Sequence, residues 1–114
     1  MFLDLDTYNW FIRPGQTDMR KRSNSLSMLV HNEMNLNLFE KNIFVFCGSN
    51  KKVIRAIVWE KNGWWEMSKR IEHQTLSWPD NNEEAMQVSI ESIKAVLQGA
   101  DPWRSFSDIT PFNE

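Results

Sequence analysis

The chain lacks most of the features that commit a protein to a narrow class. It has one cysteine, Cys47, in 114 residues, which excludes an internal disulfide and suits a reducing cytoplasm. Its two histidines, His31 and His73, have no Glu or His at ligand spacing, so each reads as a surface or boundary residue rather than a metal ligand. No apolar run approaches the roughly 20 residues that a bilayer crossing requires, so no membrane partner is expected. The opening Met1-Phe2-Leu3-Asp4-Leu5-Asp6 carries acids and no basic flank, unlike a signal peptide. There is no internal repeat, no low-complexity tract and no Gly-rich phosphate loop, and no cofactor is expected.

Aromatic rings, by contrast, are plentiful: six Trp and seven Phe in a chain this short are more large rings than a small core easily hides. The length fits one domain, which we place at 1–101, with an irregular tail over 102–114 in which Trp103 and Phe106 can dock back. Net charge is −2 but unevenly spread. Residues 1–70 hold 11 Lys/Arg against 7 Asp/Glu, and residues 71–114 hold 2 against 8. Such asymmetry marks a basic face followed by an acidic tail.

Hydrophobic patterning gives a coarse order of elements. Tyr8 to Ile12 is β-prone and stopped by Pro14-Gly15. Thr17 can cap a helix with Asp18 in its first turn and an inner stripe of Met19, Leu26, Leu29, Val30 and Met34, ending near 35–37. Ile43 to Cys47, Val53 to Trp59 and Trp64 to Ile71 read as strands, with Asn62-Gly63 as the hairpin turn between the last two. Thr75 to Trp78 can add an edge strand. A second helix is capped by Ser89, carries Ile90, Ile93 and Leu97 inside, and stops at Gly99. The fold class is α+β: an antiparallel three- to five-stranded meander packed with two helices.

The ordered motifs resemble a known family. Thr17-Asp18-Met19-Arg20-Lys21 with Leu26 and Leu29-Val30, Phe44-Val45-Phe46 with Gly48, Trp59 with Asn62-Gly63, and Lys69-Arg70-Ile71-Glu72 follow its sequence of signatures. So do Trp78-Pro79 and Leu97, Gly99, Asp101, Trp103 and Arg104. The set runs from about residue 9 to 104 and is similar to the second-open-reading-frame protein of bacterial insertion sequence 66 elements. (That protein is often called TnpB and is distinct from the RNA-guided nuclease of the same name.) The resemblance implies an accessory role in transposition beside a separate, larger transposase. The chain departs from the family in having Arg22 where Gly is usual, Cys47 where Arg is usual, and Ser49 and Asn50 where the family is often basic. Lys51 and Lys52 can offset part of that loss.

Catalysis by phosphoryl transfer would need three carboxylates around a metal pair. Asp18, Glu33, Glu40, Glu60 and Glu66 form no recognisable ligand pattern, and nothing pairs a nucleophile with a base. Asp18 has a plainer role, a helix-start acid pairing with Arg22, and Cys47 reads as a small buried packing group. The chain is read as non-enzymatic.

Two basic sites remain. Arg20-Lys21-Arg22 stands in the first turns of the predicted helix, where a phosphate would relieve the clash between cations and the helix dipole. Alternatively, these side chains simply face water. With Asn62-Gly63 as a two-residue turn, Lys61 pairs with Trp64, Trp59 with Glu66, Ile57 with Ser68 and Arg55 with Arg70. One face then shows Arg55, Ile57, Trp59 and Lys61 against Trp64, Glu66, Ser68 and Arg70. Ile54, Ala56 and Val58 face the core from the other side. Opposed Arg55 and Arg70 beside exposed Trp64 suit a nucleic-acid platform. The alternative has Trp59 and Trp64 packed under a helix and the arginines reaching acids such as Glu66 or Glu72. The expected partners are DNA at transposon ends, through Arg20, Lys21, Arg22, Lys51, Lys52, Arg55, Trp64 and Arg70, and the transposase itself. The competing reading is a protein-interaction module docking through aromatics such as Trp64 and Trp103.

Overall fold

The computed structural model describes residues 4–73, 75–81 and 95. Four strands form one sheet in the order β1-β2-β3-β4: β1 (Asn9–Gln16), β2 (Asn42–Cys47), β3 (Val53–Glu60) and β4 (Gly63–Arg70). The sheet is mixed, which corrects the expected antiparallel meander. β2, β3 and β4 are antiparallel neighbours, whereas β1 runs parallel to β2, with Asn9 opposite Asn42 and Ile12 opposite Val45. Parallel neighbours need a long crossover, and the stretch from 17 to 41 supplies it with a helix in its middle.

β1 also runs past the expected stop at Pro14-Gly15. Ile12 faces Val45 and Gln16 faces Cys47, so the strand bulges through Arg13-Pro14-Gly15 and then rejoins β2. An edge strand tolerates this, because the missing N–H of Pro14 breaks no ladder bond on an outer edge and Gly15 adopts the positive φ of 79°. The predicted edge strand over Thr75–Trp78 is not a strand. Leu76 and Trp78 are buried, the Trp78 indole N–H donates to the Arg13 carbonyl (2.9 Å), and the Gly15 N–H donates to the Pro79 carbonyl (2.9 Å). The segment thus lies across the β1 bulge and buries Leu76 and Trp78.

The crossover helix starts later than expected. α1 spans Ser23–Leu29 and passes into a π-helical turn, Val30–Met34, closed by Asn35 in the left-handed conformation. Residues 17–22 form a loop instead of a first turn. Asp18 explains why: its Oδ1 accepts the Arg20 N–H (2.9 Å) and its carbonyl accepts the Lys21 N–H (3.1 Å), a tight turn that competes with helix. The predicted stripe nevertheless holds, with Leu26 and Val30 fully buried and Met19, Leu29 and Met34 packed beside them. The second predicted helix and the tail with Trp103 and Phe106 lie outside the described residues.

Each sheet face has its own apolar cluster. Ile43, Val45, Cys47, Ile54, Ala56 and Val58 pack with Ile12, Ile71, Leu76 and Trp78 on one side. Phe44, Phe46 and Ile57 pack under Leu26 and Val30 on the other. The predicted division of β3 and β4 into faces is therefore correct, although the register is not. Trp59 faces Trp64, Ile57 faces Glu66, Arg55 faces Ser68 and Val53 faces Arg70, an offset of two residues that preserves every side chain's face. The turn is made by Lys61 and Asn62, with Lys61 at φ 55° and the Asn62 N–H returned to the Glu60 carbonyl. Cross-strand pairs outweigh the Asn-Gly turn preference. The new register sets Trp59 edge-on to Trp64 at 5.3 Å and gives Arg55 a hydroxyl partner, Ser68, in place of a second cation.

Candidate nucleic-acid interface

One end of the sheet gathers the chain's cations. The carboxyl ends of β1, β2 and β4 meet the start of β3 there, so the loop 17–22, the turn 48–52 and Arg70 become neighbours. Gly48 lets the first two approach. A Cβ on it would lie 2.8 Å from Met19 Cγ, inside van der Waals contact. The turn itself is pinned, since the Gly48 N–H donates to the Val53 carbonyl, and the Lys51 and Lys52 carbonyls accept from Leu76 and Ile71.

Arg55 fastens the loop from below. Its Nη1 donates to the carbonyls of Met19 (2.8 Å) and Lys21 (2.6 Å), and its Nε donates to Ser68 Oγ (2.9 Å). A planar guanidinium reaches these acceptors from two separate nitrogens, whereas the three donors of a lysine all leave from one. The carbonyls that Arg55 binds hold Arg20, Lys21 and Arg22 in place.

Two acids complete the loop. Asp18 accepts from Arg20 Nε (3.0 Å) and Nη2 (2.8 Å), and these side-chain bonds, with the Arg20 backbone N–H, hold its carboxyl well below the usual carboxylate range. Glu66 Oε2 accepts the Ser23 N–H at 2.7 Å, which lowers its pKa, while its Oε1 stands 3.3 Å from Arg22 Nη2. This corrects one expectation and bears on a second. Asp18 pairs with Arg20 rather than Arg22, and the N–H at the start of α1 is taken by Glu66, so the helix start itself is not the group that a phosphate would meet.

Seven of the eight predicted residues share this end: Arg20, Lys21, Arg22, Lys51, Lys52, Arg55 and Arg70. The Arg20 side chain is 91% exposed, Arg22 73% and Arg70 62%, so their heads are open to solvent even though they stand beside Asp18, Glu66 and Glu72. Lys51 Nζ lies 3.6 Å from Asp80. Trp64 is not among them. It sits at the hairpin end, half-buried against the α1 side, with Trp59 and Phe39 around it. β3 separates the ends by about 23 Å at 3.3 Å per residue. Of the packed alternative, Trp64 does lie against the α1 side and Arg70 does reach Glu72, whereas Arg55 binds two carbonyls and a hydroxyl instead of an acid.

The carboxylates that could be assembled on paper form no metal site, although Glu40 and Glu60 line one cleft with Asp4 at the hairpin end. Asp18 and Glu66 are engaged as above, Glu33 binds Arg13, and Glu60 accepts the Trp65 indole N–H. Among the described residues no three His, Cys, Asp or Glu are grouped to hold a metal ion. Burial raises the Cys47 thiol to about 11, so it stays protonated as a packing group, and His31 and His73 lie at the surface. No helix among the described residues is long and apolar enough to cross a membrane.

Sequence reasoning missed two features. One is the helix-start role of Glu66, which no pattern signals because Ser23 is 43 residues away. The other is Phe39, 60% exposed against Trp59, whose only sign is a large ring in the polar stretch between Asn35 and Asn42.

A family model described as IS66 Orf2 like protein matches residues 8–106. The chain is also similar to the uncharacterized protein y4hO of Sinorhizobium fredii, 31% identical over 94 residues that cover 82% of this chain and 81% of the relative. No solved structure matches. The chain belongs to the IS66 Orf2-like family, which supports a role as an accessory protein of transposition.

Proposed function

We propose that this IS66 Orf2-like chain assists transposition by gripping the phosphate backbone of duplex DNA at transposon ends, beside a separate transposase that carries the chemistry. The observation behind this reading is the convergence of Arg20, Lys21, Arg22, Lys51, Lys52 and Arg70 on one end of the sheet, with the three arginine heads largely exposed. Asp18 and Glu72, the acid partners of Arg20 and Arg70, are solvent-exposed, and exposed ion pairs contribute only about 0–1 kcal/mol. A phosphate can therefore replace Asp18 or Glu72 as the partner at little loss.

The same geometry argues for backbone contact rather than base reading. α1 has seven residues and lies on the sheet, so it is too short and too committed to enter a major groove. The cations sit on loops, which suits positioning on phosphate. Arg55 acts here through the loop carbonyls it binds, and Trp64 takes no part.

The test is fluorescence anisotropy with a labelled duplex at about 50 and 200 mM salt. Binding should fall steeply with salt, with a log–log slope near −0.9 for each phosphate contacted. An Arg20→Ala/Lys21→Ala/Arg70→Ala variant should bind more weakly on every sequence and flatten that slope by about 2–3. Absence of binding at low salt, or an unchanged slope in the variant, would refute the reading.

A further inference from the structure

We propose that the opposite, hairpin end of the sheet is a second recognition site: a cleft that takes an arginine or lysine side chain from a basic segment of a protein partner. Asp4, Tyr8, Phe39, Glu40, Trp59 and Glu60 line this cleft. It combines three carboxylates with the rings of Tyr8, Phe39 and Trp59, a mixture that favours an organic cation through charge and ring quadrupole together.

Phe39 is the central observation. Its side chain is 60% exposed, yet it is not loose: its N–H donates to Asn37 Oδ1 (2.9 Å) and its ring stands edge-on to Trp59 at 5.0 Å and 81°. Trp59 is in turn edge-on to Trp64, so an exposed ring is braced by two others. A ring held in place by its neighbours and left facing water can meet a partner without first being ordered, which suits a contact surface.

The cleft already shows the chemistry in miniature. Lys41 Nζ lies 5.6 Å from the centroid of the Tyr8 ring and donates to Thr7 Oγ1 (3.3 Å), which directs the cleft's own ammonium to one wall. Lys61, the second lining lysine, belongs to the hairpin turn. The three acids outnumber these two cations, and phosphate would meet Asp4, Glu40 and Glu60. Nucleic acid is thus disfavoured where a basic peptide is favoured. This site does not depend on the DNA reading, since it lies at the other end of β3.

The experiment is a titration of the full, 15N-labelled chain with an amidated Gly-Arg-Leu-Arg-Gly peptide, an all-glutamate peptide and an oligo-dT strand. The arginine peptide should move the amides of Tyr8, Phe39, Lys41 and Glu60 and the Trp59 indole signal, and the other two probes should leave them still. A Phe39→Ser/Glu40→Gln variant, exposed at both positions and shown folded by its own spectrum, should bind the arginine peptide about tenfold more weakly. Phe39→Trp should retain binding. No shift at millimolar peptide, shifts centred elsewhere, or equal affinity in the double variant would overturn the proposal. Movement of the same signals by oligo-dT would overturn it too, making the cleft a base-stacking platform. A parallel duplex titration reports on residues 20–22 and 70, so failure at one end is read separately from failure at the other.

Discussion

The two ends of the sheet share four strands but hold their loops by different means. At the basic end the loops are fastened through the backbone: Arg55 binds the Met19 and Lys21 carbonyls, and the turn at Lys51 and Lys52 is clasped by Ile71 and Leu76. At the hairpin end the Asn42 amide and the Asn9 N–H also hold the Asn37 and Lys41 carbonyls, but the loop adds a fastening of ring on ring, Phe39 on Trp59 on Trp64. The difference follows from charge. Cations crowded on one loop repel one another and cannot hold it, so neutral carbonyls and one half-buried guanidinium must. Rings carry no such penalty, and one of them can be left facing water.

The largest expected effect separates two phenylalanines. Phe46, fully buried near the basic end, should lose about 3–5 kcal/mol on change to Ala. Phe39→Ala should lose less than about 1 kcal/mol, since its ring is mostly exposed. Urea unfolding of both variants decides the matter, and a large loss at Phe39 would make the hairpin rings a second core and erase the contrast.

Next in size is the guanidinium clamp. Arg55→Lys should destabilise the chain by about 2 kcal/mol, because one ammonium nitrogen cannot stand where both Nε and Nη1 stand, and acceptors on the loop or on β4 lose their donor. Arg20→Lys, 91% exposed, should stay within about 0.5 kcal/mol. If thermal melts show the two replacements to be equivalent, the basic loop is not held in the way described.

The smallest effect compares the turns at the two ends. Lys51 (φ 56°) and Lys61 (φ 55°) both occupy the left-handed region that glycine enters freely. Lys51→Gly and Lys61→Gly should each stabilise by a few tenths to about 1 kcal/mol in the same melts. A gain at Lys61 alone would show that the contacts of the 48–52 turn, such as Lys51 with Asp80, offset its strain.

Much of the sheet was legible because β2, β3 and β4 carry continuous apolar or alternating patterns. The two faces could be separated even with the register misjudged, since an offset of two residues leaves parity intact. The direction of β1 was not legible, because strand patterns say nothing of parallel or antiparallel pairing. Nor was the late start of α1: Thr17 and Asp18 fit a helix start equally well as a cap or as the turn they form with Arg20 and Lys21. Of the site, the cations could be named from sequence but not their neighbours. The pairing of Arg55 with distant carbonyls, and of Glu66 with Ser23, depends on which loop crosses which strand end.

The bulge in β1 has a consequence for how the protein behaves at high concentration. An outer strand is ordinarily a template on which another chain can extend the ladder, and unprotected edges lead to stacking and insoluble fibres. Over three successive residues the regular ladder of this edge is broken: the Arg13 carbonyl is taken by Trp78, Pro14 has no N–H, and the Gly15 N–H is taken by Pro79. A chain rich in β-prone segments and large rings thereby closes one of its two flanks to runaway growth.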